Sequence, residues 1–238
     1  MNNAETSEPT FSASRAMALQ REMAKHVIIE PLPPERVTVA AGLDVAYSGS
    51  TGFAVAVAIH REGLRELCHV VVESSVEIPY VPGLLAFREA PIMVAALQEL
   101  MEKCVRPDVV MVNGHGLSHP RRLGIATHIG LALDIPTIGI ARKRLCGEVG
   151  TFNGRKALFI DGRPLCYIVG EGRRETYVSI GHRVDLETAL AIAQVFWRSG
   201  SRFPEPIAVA DQISKRVARS RRSSRGRSSQ HRTSSLEP

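Results

Sequence analysis

The residue that first asks for a chemical explanation is Asp44. It lies between Leu43 and Val45 in VTVAAGLDVAYS, a segment whose Val and Ala content and flanking turn read as a strand. An ionised carboxylate there must be solvated, paired, or bound to a cation, because burying it alone is costly. A strand with its Asp side facing water and a strand presenting a ligand are both consistent with the segment. Glu89, at the end of PYVPGLLAFREAP and just before the Pro91 helix start, carries two readings as well. It is a first-turn acid favoured by the helix dipole, or a functional carboxylate. Tyr80, held between prolines in the same stretch, is a structural loop residue or an aromatic placed to stack on a base, a contact worth about 1 to 3 kcal/mol.

Two further stretches could carry chemistry. VVMVNGHGLSHPRRLGIATHIG, residues 109–130, runs from a buried strand through a glycine-rich loop into a helix, where α/β sheets bind their ligands. Gly114 and Gly116 let backbone come close to a base or phosphate, Arg121 and Arg122 offer phosphate contacts, and His119 is a hydrogen-bonding loop residue or a functional one. TIGIARKRLCGE, residues 137–148, delivers Arg142, Lys143 and Arg144 at the end of a second buried strand. They form a solvated basic face, or lie beside the glycine loop if the two strands are neighbours.

The elements that position these residues follow from periodicity. Residues 12–30 are spaced as a helix and PLPPER is a connector. Val37 to His60 is a hairpin around Gly-Ser-Thr-Gly, and a third strand, about Leu67 to Ile78, completes an antiparallel meander. Pro91 to Cys104 is a helix, Val109 to Val112 a strand, Ile125 to Leu133 a helix and Thr137 to Ala141 a strand. Asp161-Gly162 turns a hairpin between Ala157–Ile160 and Leu165–Val169, Thr176 to Ile180 is a strand, and Asp185 caps a helix reaching Arg198. The order implies an α/β protein with a mixed sheet flanked by helices on both faces.

With 238 residues and 44% hydrophobic content, the chain suits one substantial core. The longest apolar stretch, Ile129 to Ala141, is broken by Asp134 and Pro136, and MNNAETSEPT is no signal peptide, so a soluble, intracellular protein without a membrane span is expected. Cys68, Cys104, Cys146 and Cys166 form no C-x-x-C pair; reduced core thiols are the expectation, rather than a zinc site or disulfides. The formal net charge of +6 resides in the end of the chain, where Lys215, Arg216, Arg219, Arg221, Arg222, Arg225, Arg227 and Arg232 face only Glu237. Almost without apolar residues, 215–238 reads as a disordered basic tail adding salt-sensitive phosphate affinity or merely solubility; 1–11 reads as a disordered N-terminus and 12–214 as one domain.

These motifs together resemble the endonuclease V family, the deoxyinosine 3′ endonucleases. The resemblance runs from about Leu19 to Asp211 through GLDVAY, PYVPGLLAFREAP, NGHGLSHPRRLGIATHIG, IPTIGIAR, YVSIGHRVDLETAL and RFPEPIAVAD. It implies a ribonuclease H-like fold and cleavage of inosine-containing DNA or RNA at the second phosphodiester 3′ to inosine. It further implies dependence on Mg2+, with Mn2+ as substitute, and a cytoplasmic monomer engaged in nucleic-acid repair or processing. Carried over by position, Asp44, Glu89 and Asp211 resemble metal-binding carboxylates, Tyr80 the wedge, and His119 the histidine near the reacting phosphate. The hypoxanthine pocket falls on Gly83, Leu85, Gly114, Gly116, Gly124, Ile125 and Leu145. Two positions depart from the family. Asn113 stands where the family has Asp, and so offers a metal a neutral carbonyl oxygen without charge. Arg142 stands where it has Lys, and keeps the charge without a tunable proton. A catalytically impaired inosine-binding protein is therefore the alternative to an active endonuclease.

Overall fold

Period-two alternation splits β1 (Val39–Ser48) between two cores. Ala40 joins one with Val55 and Val57 of β2 (Thr51–His60); Ala41 and Leu43 join the other with Ala54, Ala56 and Ala58. Both faces of these strands are covered, hence their near-continuous apolar runs. The computed structural model describes residues 11–76 and 78–230, with side chains as far as 223. β1 pairs antiparallel with β2, which pairs antiparallel with β3 (Arg65–Ser75). On its other side β1 pairs parallel with β4 (Val109–Asn113), and β4 with β5 (Thr137–Ala141). β9 (Thr176–His182), β8 (Arg163–Val169), β7 (Arg155–Ile160) and β6 (Glu148–Phe152) continue antiparallel, giving a nine-stranded sheet in the order β3-β2-β1-β4-β5-β9-β8-β7-β6.

Helices cover both faces as the pattern implied. α2 (Leu85–Lys103) and α3 (Ile125–Leu133) pack Met93, Leu97, Leu100 and Ile129 on Leu43, Val110 and Val112. Each such fully buried side chain contributes roughly 1.5 to 3 kcal/mol of apolar burial. α4 (Leu186–Val195), capped by Asp185 accepting from the Thr188 N–H, and α5 (Glu205–Gln230) pack Leu190, Ile207, Ala210 and Ile213 on Val57, Met111 and Ile140. α5 approaches β1 closely because Gly42 has no side chain: a Cβ there would lie 1.9 Å from the Pro206 carbonyl oxygen. No helix among the described residues is long and apolar enough to cross a membrane.

Four expectations are corrected. α1 (Ala13–Met23) ends well before residue 30. α2 begins at Leu85, so Pro91 is inside the helix rather than at its start, and Glu89 is not a first-turn acid. Cys68 of β3 and Cys104 after α2 are disulfide-bonded, not reduced; only Cys146 and Cys166 are free. The tail boundary at 215 falls inside α5: Ser214 and Ala218 are buried, Arg221 pairs with Glu73 at 2.7 Å, and Arg222 donates to the Tyr47 carbonyl. The stripe Ile207, Ala210, Ile213, Val217 holds this basic segment on the sheet. Residues 1–10 and 231–238 lie outside the described residues; Phe11 is described, its ring 6.4 Å from that of Phe87.

Candidate nucleic-acid site

The middle of β1 and the carboxyl ends of β4 and β5 hold one cluster. Register places Leu43 opposite Val112, which carries Asp44 level with Asn113 on the α5 side of the sheet. Asn113 Nδ2 donates to Asp44 Oδ1 at 2.6 Å, and Ser214 Oγ of α5 donates to Asp44 Oδ2. Burial raises the Asp44 carboxyl above its usual range; those two hydrogen bonds oppose the shift and the Asp211 charge adds to it. Asp211, one turn earlier in α5, accepts from Arg142 at the end of β5 and from Lys215 Nζ at 2.6 Å. Arg142 also lies over the Phe203 ring, 4.9 Å from its centroid. Glu89 enters from α2 and accepts from the Tyr47 hydroxyl at 2.9 Å. Its pKa is raised to about 7, chiefly by burial and further by the Asp44 charge, so the two carboxylates act on one another. Sequence reasoning did not single out Ser214, Lys215 or Tyr47, and the folded α5 is what brings the first two in.

Beside this cluster is a pocket of about 130 Å³. Its lining includes Gly83, Leu85, Gly114, Gly124, Ile125 and Leu145, with Tyr80 at 65% exposure on its margin. His119 also lines it, with both ring nitrogens engaged: Nε2–H donates to the Gly83 carbonyl at 3.0 Å and Nδ1 accepts from the Arg121 N–H at 3.2 Å. Burial lowers its pKa to about 4, so the ring is neutral near pH 7. Gly116 and Arg121 do not line the pocket. A Cβ on Gly116 would meet the Ile180 carbonyl oxygen at 1.9 Å, so this glycine serves the packing of its own loop on β9. Arg121 turns inward and donates to the Gly83 carbonyl at 2.7 Å and to Gln20 Oε1.

Sequence reasoning missed Gln20, Ala86, His115 and Leu123 of the pocket lining, and Gln20 is the one that ties its walls together. Fully buried on α1, it donates through Nε2 to the Gly83 and Leu123 carbonyls, both at 3.1 Å. It thereby ties the 79–84 loop to the 114–124 loop. The signal was present: Ala16 and Gln20 share one helical face, and a polar residue in line with a buried alanine needs partners.

A mixed sheet with three antiparallel strands and two parallel additions, covered by helices on both faces and with Asp44 of β1 level with the end of β4, is the ribonuclease H-like architecture. The chain belongs to the endonuclease V family: the family model for Endonuclease V matches residues 21–212. It is 43% identical over 212 residues to the endonuclease V of Ignicoccus hospitalis, covering 89% of this chain and 98% of that one. The crystal structure of Streptomyces avermitilis endonuclease V matches with a TM-score of 0.77 at 31% identity, covering 88% of this chain and 94% of that one. The Ciona intestinalis endonuclease V, solved with a 24mer DNA containing an inosine followed by a ribo-adenosine, shares the fold at a TM-score of 0.76 and 24% identity, covering 87% and 98%.

Proposed function

We propose that this chain recognises inosine in DNA or RNA and cleaves the second phosphodiester on its 3′ side with Mg2+, or Mn2+ in its place, as a cytoplasmic monomer of nucleic-acid repair or processing. The observation that carries the reading is the pocket into which the amino end of α3, Gly124 and Ile125, opens. A helix amino terminus favours a hydrogen-bond acceptor, which hypoxanthine presents as its keto oxygen where adenine presents an amino group. An everted base would be read by the Ile125 N–H, the Gly124 and Ala126 N–H groups already donating to Gly116 and His115, and by the shape of Leu85, Gly114 and Ile125, while exposed Tyr80 stacks in the gap left in the strand. Neutral His119 acts on the pocket through Gly83, holding its carbonyl rather than moving a proton.

Asp44 and Glu89 fit a hard cation: they are two buried carboxylates, and the charge of the first raises the pKa of the second. Bound there, Mg2+ would supply charge stabilisation at the phosphate and a more acidic water. Asn113, through its amide oxygen, and Asp211 would be the further residues to hold the ion, and Arg142, which here donates to Asp211, would be the cation nearest a phosphate there. The Cys68–Cys104 bridge pulls against a reducing compartment.

Those same contacts favour a second reading, an inosine-binding protein with impaired cleavage, because Asn113 and Arg142 already satisfy Asp44 and Asp211. Purified protein is to be given, in Mg2+, labelled strands that differ only by one inosine. A nick at the second 3′ phosphodiester supports the endonuclease; selective binding without a nick supports the second reading; equal binding of both strands defeats both.

A further inference from the structure

The same helix that sends Gln20 into the pocket sends its neighbours elsewhere. Arg21 in the last turn of α1 and Lys25 in the 3-10 turn that follows it (Ala24–His26) line an open groove of about 560 Å³ together with Arg121, Arg122 and Asp161. The groove adjoins the pocket through Arg121, whose guanidinium reaches Gln20 and Gly83 in the pocket wall. Four cations thus face one carboxylate. Their own pairings are weak: Lys25 meets Glu22 at 2.6 Å and Arg122 meets Asp161 at 2.8 Å, but Lys25, Glu22 and Asp161 are more than 60% exposed. Among the described residues Arg21 is paired with no carboxylate. Arg122 has φ +53, a left-handed conformation unfavourable for a residue with a side chain.

We propose that this groove binds the sugar-phosphate backbone of the strand whose base enters the pocket, with Arg21, Lys25 and Arg122 contacting successive phosphates. The inference rests on the nucleic-acid reading above and adds to it the path of the chain on the α1 side. Phosphate contacts carry no base information, so the groove sets affinity and register while the pocket sets selectivity. Arg121 stands between the two, lining the groove while its guanidinium donates to Gln20 and Gly83 in the pocket wall.

The test uses the full-length protein in metal-free buffer and fluorescence anisotropy of two labelled single strands, one with an inosine and one without, over a range of salt. Arg21→Gln with Lys25→Gln alters exposed positions of α1 and of the 3-10 turn after it and should leave the fold intact, which circular dichroism checks. Each phosphate contact on a single strand contributes roughly 0.7 to the slope of log affinity against log salt. The pair should therefore flatten the slope by about 1.4 and weaken both strands on the order of tenfold, with the inosine preference unchanged. The matched control is Arg65→Gln with Arg106→Gln, two exposed arginines outside the groove, at the start of β3 and in the connection before β4, which should leave the slope unaltered. An unchanged slope in the α1 variant would overturn the groove, and so would an equal loss in the control, which would reduce it to net charge. Loss of inosine preference with the slope intact would place these residues in base recognition and also overturn it. If the unaltered protein shows no inosine preference, the proposed function fails, while the slopes on the ordinary strand still decide the groove.

Discussion

The pocket and the carboxylate cluster lie side by side, yet their hydrogen bonds are arranged oppositely. In the pocket they run from wall to wall: Gln20, His119 and Arg121 all donate to the Gly83 carbonyl, and the interior is left free. In the cluster they run between the functional groups themselves, Asn113 and Ser214 to Asp44, Arg142 and Lys215 to Asp211. A ligand enters the first without breaking anything, whereas a cation or phosphate must displace partners in the second. Binding and cleavage are therefore separable in this molecule, and substitutions on one side should leave the other nearly untouched.

The largest effect is expected at Asn113. Asn113→Asp replaces a donor to Asp44 by a further anionic ligand beside Asp44, Glu89 and Asp211, and one group of this kind is commonly worth on the order of 10² to 10³ in rate. Nicking of an inosine strand should rise by that factor and saturate at lower metal, with inosine affinity in metal-free buffer unchanged. Without metal the variant should be less stable than its parent, because a second carboxylate then faces Asp44, which keeps only Ser214 as donor. Single-turnover rates across a metal titration decide it; equal rates for both proteins at saturating metal would show that Asp44, Glu89 and Asp211 suffice.

Next in size is a change that should not distinguish the two regions. The Cys68–Cys104 bridge closes a separation of 36 residues and joins β3 to the end of α2, whose other end supplies both Leu85 of the pocket and Glu89 of the cluster. Cys68→Ser should lower the unfolding free energy by about 4 kcal/mol in the absence of reductant and by far less when reductant is present. Denaturant titrations with and without reductant measure this. A selective loss of either base preference or nicking would mean that the bridge tunes one site rather than the helix that serves both.

What could be read from the sequence divides along physical lines. Buried strands and amphipathic helices announce themselves, so β4, α3 and β5 lie where periodicity put them, as does the Asp161-Gly162 turn with both residues at positive φ. The hairpin joining β6 to β7 turns in the same way on Asn153-Gly154, but EVGTF is too polar and too interrupted by Gly150 to read as a strand. α5 was obscured because Arg and Ser dominate its composition while its apolar stripe is narrow. Within the site, motif positions placed Asp44, Glu89, Asn113, Arg142 and Asp211 in one region. What no motif reveals is the partner of each group: Ser214 and Lys215 matter because α5 continues along β1, and Gln20 matters because two loops close over it.

Gln20→Met tests the pocket side alone. The apolar chain fills a similar volume but donates nothing, leaving the Leu123 carbonyl and Arg121 Nε without a partner, while Gly83 keeps His119 and Arg121. The expected cost is roughly 1 to 3 kcal/mol of stability. Discrimination between inosine and adenine strands should fall with it, while the salt slope and the metal requirement stay as they were. Competition binding reads the first and anisotropy the second. Full discrimination in a stably folded variant would show that shape alone holds the pocket.

The smallest effect is expected from pH, and it separates the regions by sign. Glu89 has its pKa raised to about 7 from a usual 4.5, so its contribution to stability is complete at low pH and is lost as pH rises through about 7. His119 is lowered to about 4 from 6.5, so its contribution is complete above pH 6.5 and is lost as pH falls through about 4. Between pH 4.5 and 6.5 the two slopes oppose, and metal-free protein should show a shallow optimum there. Glu89→Gln should remove the decline on the alkaline side, and His119→Gln should soften the decline on the acid side. Adding Mg2+ should act as Glu89→Gln does, because a cation favours the ionised carboxylate and returns its pKa toward the usual range. Urea unfolding at a series of pH values, with and without Mg2+, follows all three. A Mg2+ effect that persisted undiminished in Glu89→Gln would place the ion elsewhere, and the cluster would then be the self-satisfied network its hydrogen bonds describe.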